Sequence, residues 1–232
     1  MNGYYAIAID GPSGAGKSTM ARELAKRFNF IYVDTGAIYR TLGLACYRRG
    51  IDRKDEKAVM SLLPTLNIEI RYNETGSQCM MLDGEDVSRE IRLPEISICA
   101  SDVSSHPEVR SFLLEMQRRF ARENNVVMDG RDIGTVVLPD AELKIFLTAS
   151  PEARAKRRLA ELLAKGEQVS FEEVLRDINY RDEQDSSRAA APLRKAADAV
   201  EVDSSDLSAE ETLGRLCEIV INRFAIQPEV TP

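Results

Sequence analysis

The residues with the clearest chemical potential form a glycine-rich loop near the start of the chain. The loop consists of Gly11, Pro12, Ser13, Gly14, Ala15, Gly16, Lys17, Ser18 and Thr19. It matches the pattern G-x-x-x-x-G-K-[ST] in full. Glycines let successive backbone N–H groups turn toward one anion, the lysine reaches the β- and γ-phosphates, and the Ser18 hydroxyl can bind Mg²⁺. The spacing therefore predicts a loop that holds the triphosphate of a nucleotide.

An acidic residue comes directly after a short apolar run at residues 126–128. Asp129 ends this run and Gly130 follows it. In proteins with a phosphate-binding loop, an acid at this place can hold Mg²⁺. We expect Ser18 and Asp129 to form the metal site, with Asp129 bound to the metal directly or through water. A simple loop or helix cap is the alternative role for Asp129.

Arginines recur where strands and helices are expected to end. One set follows strand ends, and two further sets have helical spacing: these are Arg40 and Arg131, then Arg181, Asp185 and Arg188, then Arg154, Arg157 and Arg158. Any one of them suits a solvated surface. Together they match a different requirement, because planar guanidinium groups fit the equatorial oxygens of a phosphoryl group that is being transferred. Phosphoryl transfer depends mainly on positioning and electrostatics, so this set favours a phosphotransferase.

The elements that must position these residues alternate along the chain. Short apolar runs at 5–9 and 30–33 predict strands, and amphipathic stretches at 17–28 and 38–49 predict helices. Further strands are expected at 126–128, 143–147 and 200–202, a helix at 107–123, and helix starts at Ser150, Ser170 and Ser208. Alternation of this kind predicts an α/β fold with a parallel central sheet covered by helices, in three layers. Ligands of such sheets bind beyond the carboxyl ends of the strands.

One segment interrupts this alternation. Residues 67–72 alternate polar and apolar side chains, and a turn separates them from a second run at 78–82. This pattern predicts a small antiparallel hairpin that is solvated on one face. We therefore expect a single domain over residues 1–232 that contains an inserted lobe at about 64–104.

Bulk composition limits the partners. The net charge of −7 argues against a nucleic-acid polymer, since such binding needs a dense basic face. We find no apolar run long enough for a membrane span and no signal peptide, and the four scattered cysteines suit reduced thiols in a cytoplasmic protein. His106, the single histidine, precedes Pro107 and suits a local structural role. A monomer is the default expectation.

Two other classes of protein with this loop fit less well. A GTPase switch carries an Asn-Lys-x-Asp guanine-reading motif, which this sequence lacks. A motor or transporter ATPase is usually longer and works in an assembly. A kinase of a small metabolite fits the length and the inserted lobe. A different nucleotide kinase and a non-catalytic nucleotide-binding module remain the alternatives.

Four stretches besides the glycine loop carry a resemblance over nearly the whole chain. They are D-T-G-A-I-Y-R from Asp34, L-D-G-E-D-V from Leu82, D-G-R-D-I-G-T-V-V from Asp129 and R-A-A-A-P-L from Arg188. With them the sequence resembles the bacterial cytidylate (CMP) kinases, a family of nucleoside monophosphate kinases. The resemblance implies a core, a monophosphate-binding insert, and a mobile helical lid at about 154–190. ATP would be the co-substrate and Mg²⁺ the cofactor.

The resemblance also implies roles for individual residues. Thr35, Arg40 and Arg131 would face the CMP phosphate, although many relatives have serine at the position of Thr35. Ser101, Arg110 and Asp132 would read the cytosine. Arg181 and Asp185 would contact the ribose or phosphate, and Arg188 the phosphates. Arg157 would lie in the lid near the ATP phosphates, so Lys17, Arg131, Arg157 and Arg188 are the expected catalytic set.

The chemistry of cytosine agrees with the role implied for Asp132. Cytosine offers an amino donor at N4, from which a carboxylate can accept a hydrogen bond, whereas uracil offers an acceptor. A site built on hydrogen bonds strongly rejects a ligand that leaves its buried polar groups unpaired. We therefore expect CMP and dCMP to be preferred over UMP.

Overall fold

The computed structural model describes residues 4–74, 76–188 and 191–228. In chain order the elements are β1 (Ala6–Asp10), α1 (Lys17–Phe28), β2 (Ile31–Asp34), α2 (Thr35–Arg48), α3 (Glu56–Leu62), β3 (Ile68–Tyr72), β4 (Gln78–Leu82), β5 (Glu85–Asp86), α4 (Pro94–Ser104), α5 (Pro107–Glu123), β6 (Val126–Gly130), β7 (Leu143–Thr148), α6 (Pro151–Ala164), α7 (Phe171–Ser187), β8 (Val200–Asp203) and α8 (Ala209–Phe224). The chain forms two units. The first runs to Ile31 and resumes at Asn124, and the second is Tyr32–Glu123.

A five-stranded sheet organises the first unit. Its strand order is β2-β6-β1-β7-β8, and the chain passes toward the second unit within β2. Strands β6, β1, β7 and β8 pair in parallel. All five residues of β1 are buried, as expected for a parallel strand covered on both faces. The predicted α/β fold with a parallel central sheet is confirmed.

The register of β1 and β6 brings two loops to the same edge of the sheet. Ile9 lies opposite Asp129 and Asp10 lies opposite Gly130, so both strands end at one level. The carboxyl ends of parallel strands are where such sheets bind ligands. This places the start of the glycine loop beside the segment that begins with Arg131.

Helices α6 and α7 form a pair with a small core of their own within the first unit. Ala155 and Leu162 of α6 pack with Val174 and Ile178 of α7. The predicted helix starts are confirmed: Ser150 caps α6, and Ser170 caps α7 in a full capping box with Glu173. Residues 154–190 remain the predicted lid, of which 189 and 190 lie outside the described part of the chain.

The second unit is built around α2 and α4. Glycine at position 43 lets these helices approach closely, because a Cβ there would lie 2.9 Å from the backbone nitrogen of Ala100. The predicted hairpin is present as β3 and β4, and the short strand β5 adds to β4 to complete a three-stranded antiparallel sheet. The ring nitrogen Nε2 of His106 lies 2.7 Å from the carbonyl oxygen of Arg53, which is a local structural contact.

One predicted helix start and one predicted helical face were wrong. Helix α2 begins at Thr35, not at residue 38, because the Asp34 side chain accepts a hydrogen bond from Ala37 N and caps the helix there. Helix α7 ends at Ser187, and Arg188 follows with an extended ψ of 132°. Arg188 is therefore not on one helical face with Arg181 and Asp185, as its spacing had suggested.

Candidate active site

The glycine loop leaves β1 through a backbone turn that only glycine can make. Gly11 has φ 150°, and a Cβ there would lie 1.9 Å from the carbonyl oxygen of Leu147. Gly16 adopts a left-handed conformation at the start of α1. Among the described residues, no side chain caps this helix start. The first N–H groups of α1 and its positive dipole end are thus available to an anion.

Lys17 lies inside the loop that it serves. Its side chain is buried, and its ammonium group donates a hydrogen bond of 2.7 Å to the carbonyl oxygen of Pro12. Burial and the Arg131 guanidinium lower the pKa of Lys17 to about 7, while nearby carboxylates oppose this effect. A bound triphosphate adds negative charge beside the ammonium group and favours its charged form.

Ser18 and Asp129 meet at the expected metal site. The Ser18 hydroxyl donates a hydrogen bond of 2.8 Å to a carboxylate oxygen of Asp129. A hydroxyl and a carboxylate oxygen fit Mg²⁺, which takes one or two such protein ligands and fills its remaining positions with water and phosphate oxygens. In the described ranges no cluster of three or more His, Cys, Asp or Glu residues offers an all-protein metal cage.

Asp185 brings two of the predicted arginines together. Its carboxylate accepts a hydrogen bond of 2.5 Å from Arg131 Nε and lies 3.6 Å from Arg188 Nη2. Arg131 comes from the end of β6, and Asp185 from the last turn of α7. The three side chains are between 18% and 27% exposed, so this cluster of two arginines and one aspartate is partly buried. Arg181, one helical turn before Asp185, is exposed.

Arg157 is held by the loop after β8. Its guanidinium donates to the Ser204 carbonyl oxygen, to the Ser204 hydroxyl at 3.2 Å and to the Leu207 carbonyl oxygen at 3.3 Å. A surface pocket of about 430 Å³ lies beside it, lined by Arg157, Lys156 and residues 205–208. The structure thus shows Arg157 next to a cavity on the α6 side of the first unit.

Arg154, which the sequence placed in a set of arginines but gave no role of its own, contacts the glycine loop. It is 2% exposed and donates a hydrogen bond of 2.9 Å to the carbonyl oxygen of Ser13. The same guanidinium binds both carboxylate oxygens of Asp182 on α7, at 2.9 and 2.5 Å. Arg154 therefore links the loop to both helices of the predicted lid. The three arginines of α6 differ in burial, since Arg158 is exposed and pairs with Glu161.

Asp10, the last residue of β1, and Asp132, which directly follows Arg131, lie close together. Both side chains are buried, and the charge of Asp132 acts on Asp10. Burial raises the pKa of Asp10 to about 6, with Asp132 acting in the same direction and two backbone hydrogen bonds and Lys17 acting against it. Sequence reasoning gave Asp10 no role. Its position as an acid ending an apolar strand is the same signal that had marked Asp129.

The second unit carries the remaining predicted residues. Thr35 is the buried first residue of α2, and the Arg40 guanidinium lies 3.8 Å from the buried carboxylate of Asp34. Arg92, which sequence reasoning missed, reaches the same carboxylate oxygen at 2.8 Å. Burial alone would raise the pKa of Asp34, but Arg40 and Arg92 outweigh it and hold the pKa below its ordinary value. Two arginines thus share one buried carboxylate.

The residues implied to read the base lie on α4 and α5. Arg110 stacks its guanidinium over the ring of Tyr39, 5.5 Å from the centroid, and donates to the Ser104 carbonyl oxygen at 3.4 Å. Such a cation–π contact orients an arginine without neutralising it. Ser101 is exposed on α4. Tyr39 was part of a quoted motif but had no predicted role.

The family model described as cytidylate kinase matches residues 7–222. The chain belongs to the cytidylate kinase family. A cytidylate kinase from Carboxydothermus hydrogenoformans is 51% identical over 92% of this chain and 96% of its own length, and one from Caldicellulosiruptor bescii is 50% identical over 92% and 94%. A solved structure from Thermus thermophilus is 21% identical, with a TM-score of 0.47, covering 95% of this chain and 98% of that chain.

Membership of the cytidylate kinase family confirms the resemblance that four short motifs carried. The roles of the individual site residues stay predictions, and the structure adds their surroundings. Within the described ranges, no helix is long and apolar enough to cross a membrane.

Proposed function

We propose that this chain transfers the γ-phosphoryl group of ATP to the phosphate of CMP or dCMP. An acceptor phosphate oxygen attacks the γ-phosphorus, the bond to the β–γ bridging oxygen breaks, and ADP leaves with CDP or dCDP. The observation that carries the proposal is the cation cluster at the glycine loop, where Lys17 lies near Arg131 and Asp185 joins Arg131 to Arg188. Family membership supports the choice of acceptor.

On the donor side, the glycine loop and α1 supply most of the binding. The open N–H groups at the start of α1 bind phosphate oxygens, and Lys17 exchanges the Pro12 carbonyl oxygen for oxygens of the β- and γ-phosphates. When bound, Mg²⁺ would supply positive charge that offsets the charge of the phosphates, and Ser18 and Asp129 would hold it directly or through water. Arg157, an arginine of the proposed lid at residues 154–190, lies near the ATP phosphates in this proposal.

The arginines act on charge that develops during transfer. Arg131 and Arg188 bind equatorial oxygens of the transferring group, where planar guanidinium groups match two oxygens at once. Asp185 holds both arginines in place before substrate binds. A preorganised cluster does not have to reorient as the charge shifts, which lowers the barrier.

On the acceptor side, some of the proposed residues bind the phosphate and others read the base or contact the ribose. Thr35, Arg40 and Arg131 bind the CMP phosphate, and Arg40 is already oriented by the buried Asp34. Ser101, Arg110 and Asp132 read the cytosine, and Arg181 with Asp185 contacts the ribose or phosphate. A carboxylate that accepts from the N4 amino group selects cytosine over uracil.

An acceptor screen tests the proposal. ADP release in a coupled assay is measured with ATP and, in turn, CMP, dCMP, UMP, AMP and shikimate. We expect CMP and dCMP to give the highest kcat/KM, and equal or greater activity with AMP or UMP would overturn the base assignment. Release with shikimate alone would indicate a different metabolite kinase. ATP binding with no acceptor-dependent release would indicate a non-catalytic module.

A variant of Asp132 tests whether this residue reads the cytosine. Asp132→Ala should reduce the CMP/UMP ratio of kcat/KM by about 10²-fold or more, because an acceptor for the N4 amino group is lost. Asp140→Ala removes an exposed aspartate a few residues further on and serves as the control. An unchanged ratio in the Asp132 variant would refute its role.

We also propose that the partners are small nucleotides and that the protein is cytoplasmic. The net charge of −7 suits small nucleotide ligands and not a nucleic-acid polymer. The four cysteines are free thiols, as suits a reducing cytoplasm. We keep a monomer as the proposed state, which light scattering coupled to size-exclusion chromatography would test.

A further inference from the structure

Asp10 is a buried carboxylate that ends β1 and directly precedes the glycine loop. It is 4% exposed. Its two oxygens accept two backbone hydrogen bonds, from Ile133 N at 2.8 Å and from Gly134 N at 2.7 Å. These amides begin the single turn of π-helix at Ile133–Val137, whose first N–H groups have no partner within the turn. The Asp10 side chain therefore accepts hydrogen bonds from the first two backbone N–H groups of this turn.

The packing around this carboxylate leaves no spare room. A Cβ at Gly134 would lie 3.3 Å from Asp10 Oδ2 and 3.1 Å from Lys144 Cδ. Lys144 is also buried along most of its length, and its ammonium group is directed to Asp198 at 2.8 and 2.9 Å. The glycine of the G-R-D-x-G motif is thus the residue that lets the carboxylate approach two consecutive amides.

The clamped amides follow the proposed substrate residues without a break in the chain. Arg131 and Asp132 come immediately before Ile133, and Lys17 follows Asp10 by seven positions. Asp10 therefore joins the strand that begins the glycine loop to the segment that carries the phosphate-binding arginine and the base-reading carboxylate. A displacement of about 1 Å at a reacting centre can reduce the rate about 10²-fold. A fixed distance between these two segments matters for that reason.

We propose that Asp10 is a positioning residue for phosphoryl transfer, which fixes Arg131 and Asp132 relative to Lys17 by clamping the amides of Ile133 and Gly134. It acts through these residues and does not touch the nucleotide. The inference rests on the proposed function for its kinetic consequences, whereas the clamp itself is a property of the free protein.

Asp10→Asn tests the clamp with little change in volume. The amide keeps one acceptor oxygen and places a donor N–H₂ group against one of the two backbone donors, so one hydrogen bond is lost. We expect the KM for CMP to rise and the CMP/UMP ratio of kcat/KM to fall, each by about tenfold, while the KM for ATP changes by less than about threefold. Equal increases in both KM values, or no change in either, would overturn the proposed role.

Asp198→Asn is the matched control. It removes the carboxylate that holds Lys144 on the other side of Gly134, at a position that is 65% exposed, and leaves the two clamped amides untouched. All kinetic constants should stay within about twofold of the wild type. A loss equal to that of Asp10→Asn would show general loosening of this region and contradict a specific clamp.

Amide hydrogen exchange measured by NMR on the free protein tests the clamp without any activity. Exchange at Ile133 and Gly134 should be about tenfold faster in Asp10→Asn and unchanged in Asp198→Asn, since one buried hydrogen bond is removed. Unchanged protection at both amides would refute the clamp. If the wild type shows no CMP-dependent ADP release, the proposed function fails, and the exchange result still decides whether the clamp exists.

Gly134→Ala provides a second variant that does not alter the carboxylate. The added methyl enters the space between Asp10 and Lys144, so it should displace the carboxylate and give the same kinetic pattern and faster exchange. Because both changes break one contact, the double variant should be no worse than the more impaired single variant. Additive losses would contradict a shared clamp. Should Asp10→Asn not fold, Gly134→Ala decides the question through the same measurements.

Discussion

The Ser18 hydroxyl and the Asp129 carboxylate are joined by one hydrogen bond of 2.8 Å. Ser18 lies in the first turn of α1, and Asp129 lies opposite Ile9 at the end of the neighbouring strand β6. The two oxygens that the sequence predicts for Mg²⁺ are therefore brought together by the fold before any metal binds. Their pairing fixes the direction in which Asp129 presents its second oxygen.

Asp129→Asn separates the structural from the metal-binding role of this residue. The amide oxygen can still accept from Ser18, so the fold should persist, but the negative charge that attracts Mg²⁺ is gone. We expect the Mg²⁺ concentration for half-maximal rate to rise by about 10- to 100-fold. Initial rates titrated with Mg²⁺ at saturating nucleotides measure this, with the exposed Asp140→Asn as control. An unchanged Mg²⁺ requirement would mean that Asp129 acts only as a cap.

Asp185→Asn tests whether the two arginines must be held together. Without the carboxylate, Arg131 and Arg188 repel each other and lose their common anchor. We expect kcat to fall by about 10- to 100-fold, because misplacing transition-state contacts by about 1 Å has that effect. Steady-state kinetics with CMP measures it, and Asp177→Asn, exposed on the same helix, is the control. A change in KM for CMP alone would assign Asp185 to substrate binding instead.

The order and type of most elements could be predicted from the sequence, because local patterns decide them. Buried parallel strands appear as short apolar runs, and capping serines mark helix starts, so Ser150, Ser170 and Ser208 were interpreted correctly. The predicted start of helix α2 at residue 38 was three residues late, because the Asp34 side chain caps the helix and starts it at Thr35.

Contacts between distant residues could not be predicted in the same way. Arg154 and Asp182 are 28 positions apart, and their pairing depends on how α6 packs on α7. Asp10 and Gly134 are 124 positions apart and meet through the register of β1 with β6. A single sequence shows residue types and spacing along an element. It does not show which elements become neighbours, so the Asp10 and Arg154 contacts required the structure.

Arg92→Ala should destabilise the second unit. The variant leaves the buried Asp34 carboxylate with the Ala37 amide on one oxygen and with Arg40, at 3.8 Å, on the other, in place of the 2.8 Å contact with Arg92. We expect the free energy of unfolding to fall by about 1–3 kcal/mol, the usual cost of leaving a buried acceptor without its donor. Urea denaturation at pH 7 measures it, and Arg89→Ala, at an exposed neighbouring position, is the control.

The ion pair between Arg92 and Asp34 also predicts how the loss of unfolding free energy in Arg92→Ala varies with pH. The pKa of Asp34 is held below its ordinary value, so its contribution to stability is present at neutral pH and is lost as the pH falls through the folded-state pKa. The stability difference between wild type and Arg92→Ala should shrink below about pH 4. A difference that stays constant down to pH 3 would contradict an electrostatic origin.

Asp10 should give the opposite dependence on pH. Burial raises its pKa from 3.8 to about 6, so the folded state holds the proton more tightly than the unfolded chain. The stabilisation is complete below the unfolded value and is lost as the pH rises through about 6. The gap corresponds to about 3 kcal/mol. Relative to Asp10→Asn, the wild type should therefore gain up to about 3 kcal/mol of unfolding free energy between pH 8 and pH 4.

The groups that face Asp10 are Asp132, Lys17 and the backbone amides of residues 133 and 134, and all of them are present in both proteins. Lys17 loses the neighbouring charge that raises its pKa when Asp10 is replaced, so its titration contributes to the difference with that of Asp10. Urea denaturation at a series of pH values measures the difference. Protonated Asp10 has one acceptor fewer for the clamped amides, so the rate with CMP should decrease over the same range in which stability rises. A rate with CMP that stays constant or rises as the pH falls through 6, while stability rises, would contradict the role of Asp10, because a merely structural carboxylate would not reduce the rate as it stabilises the fold.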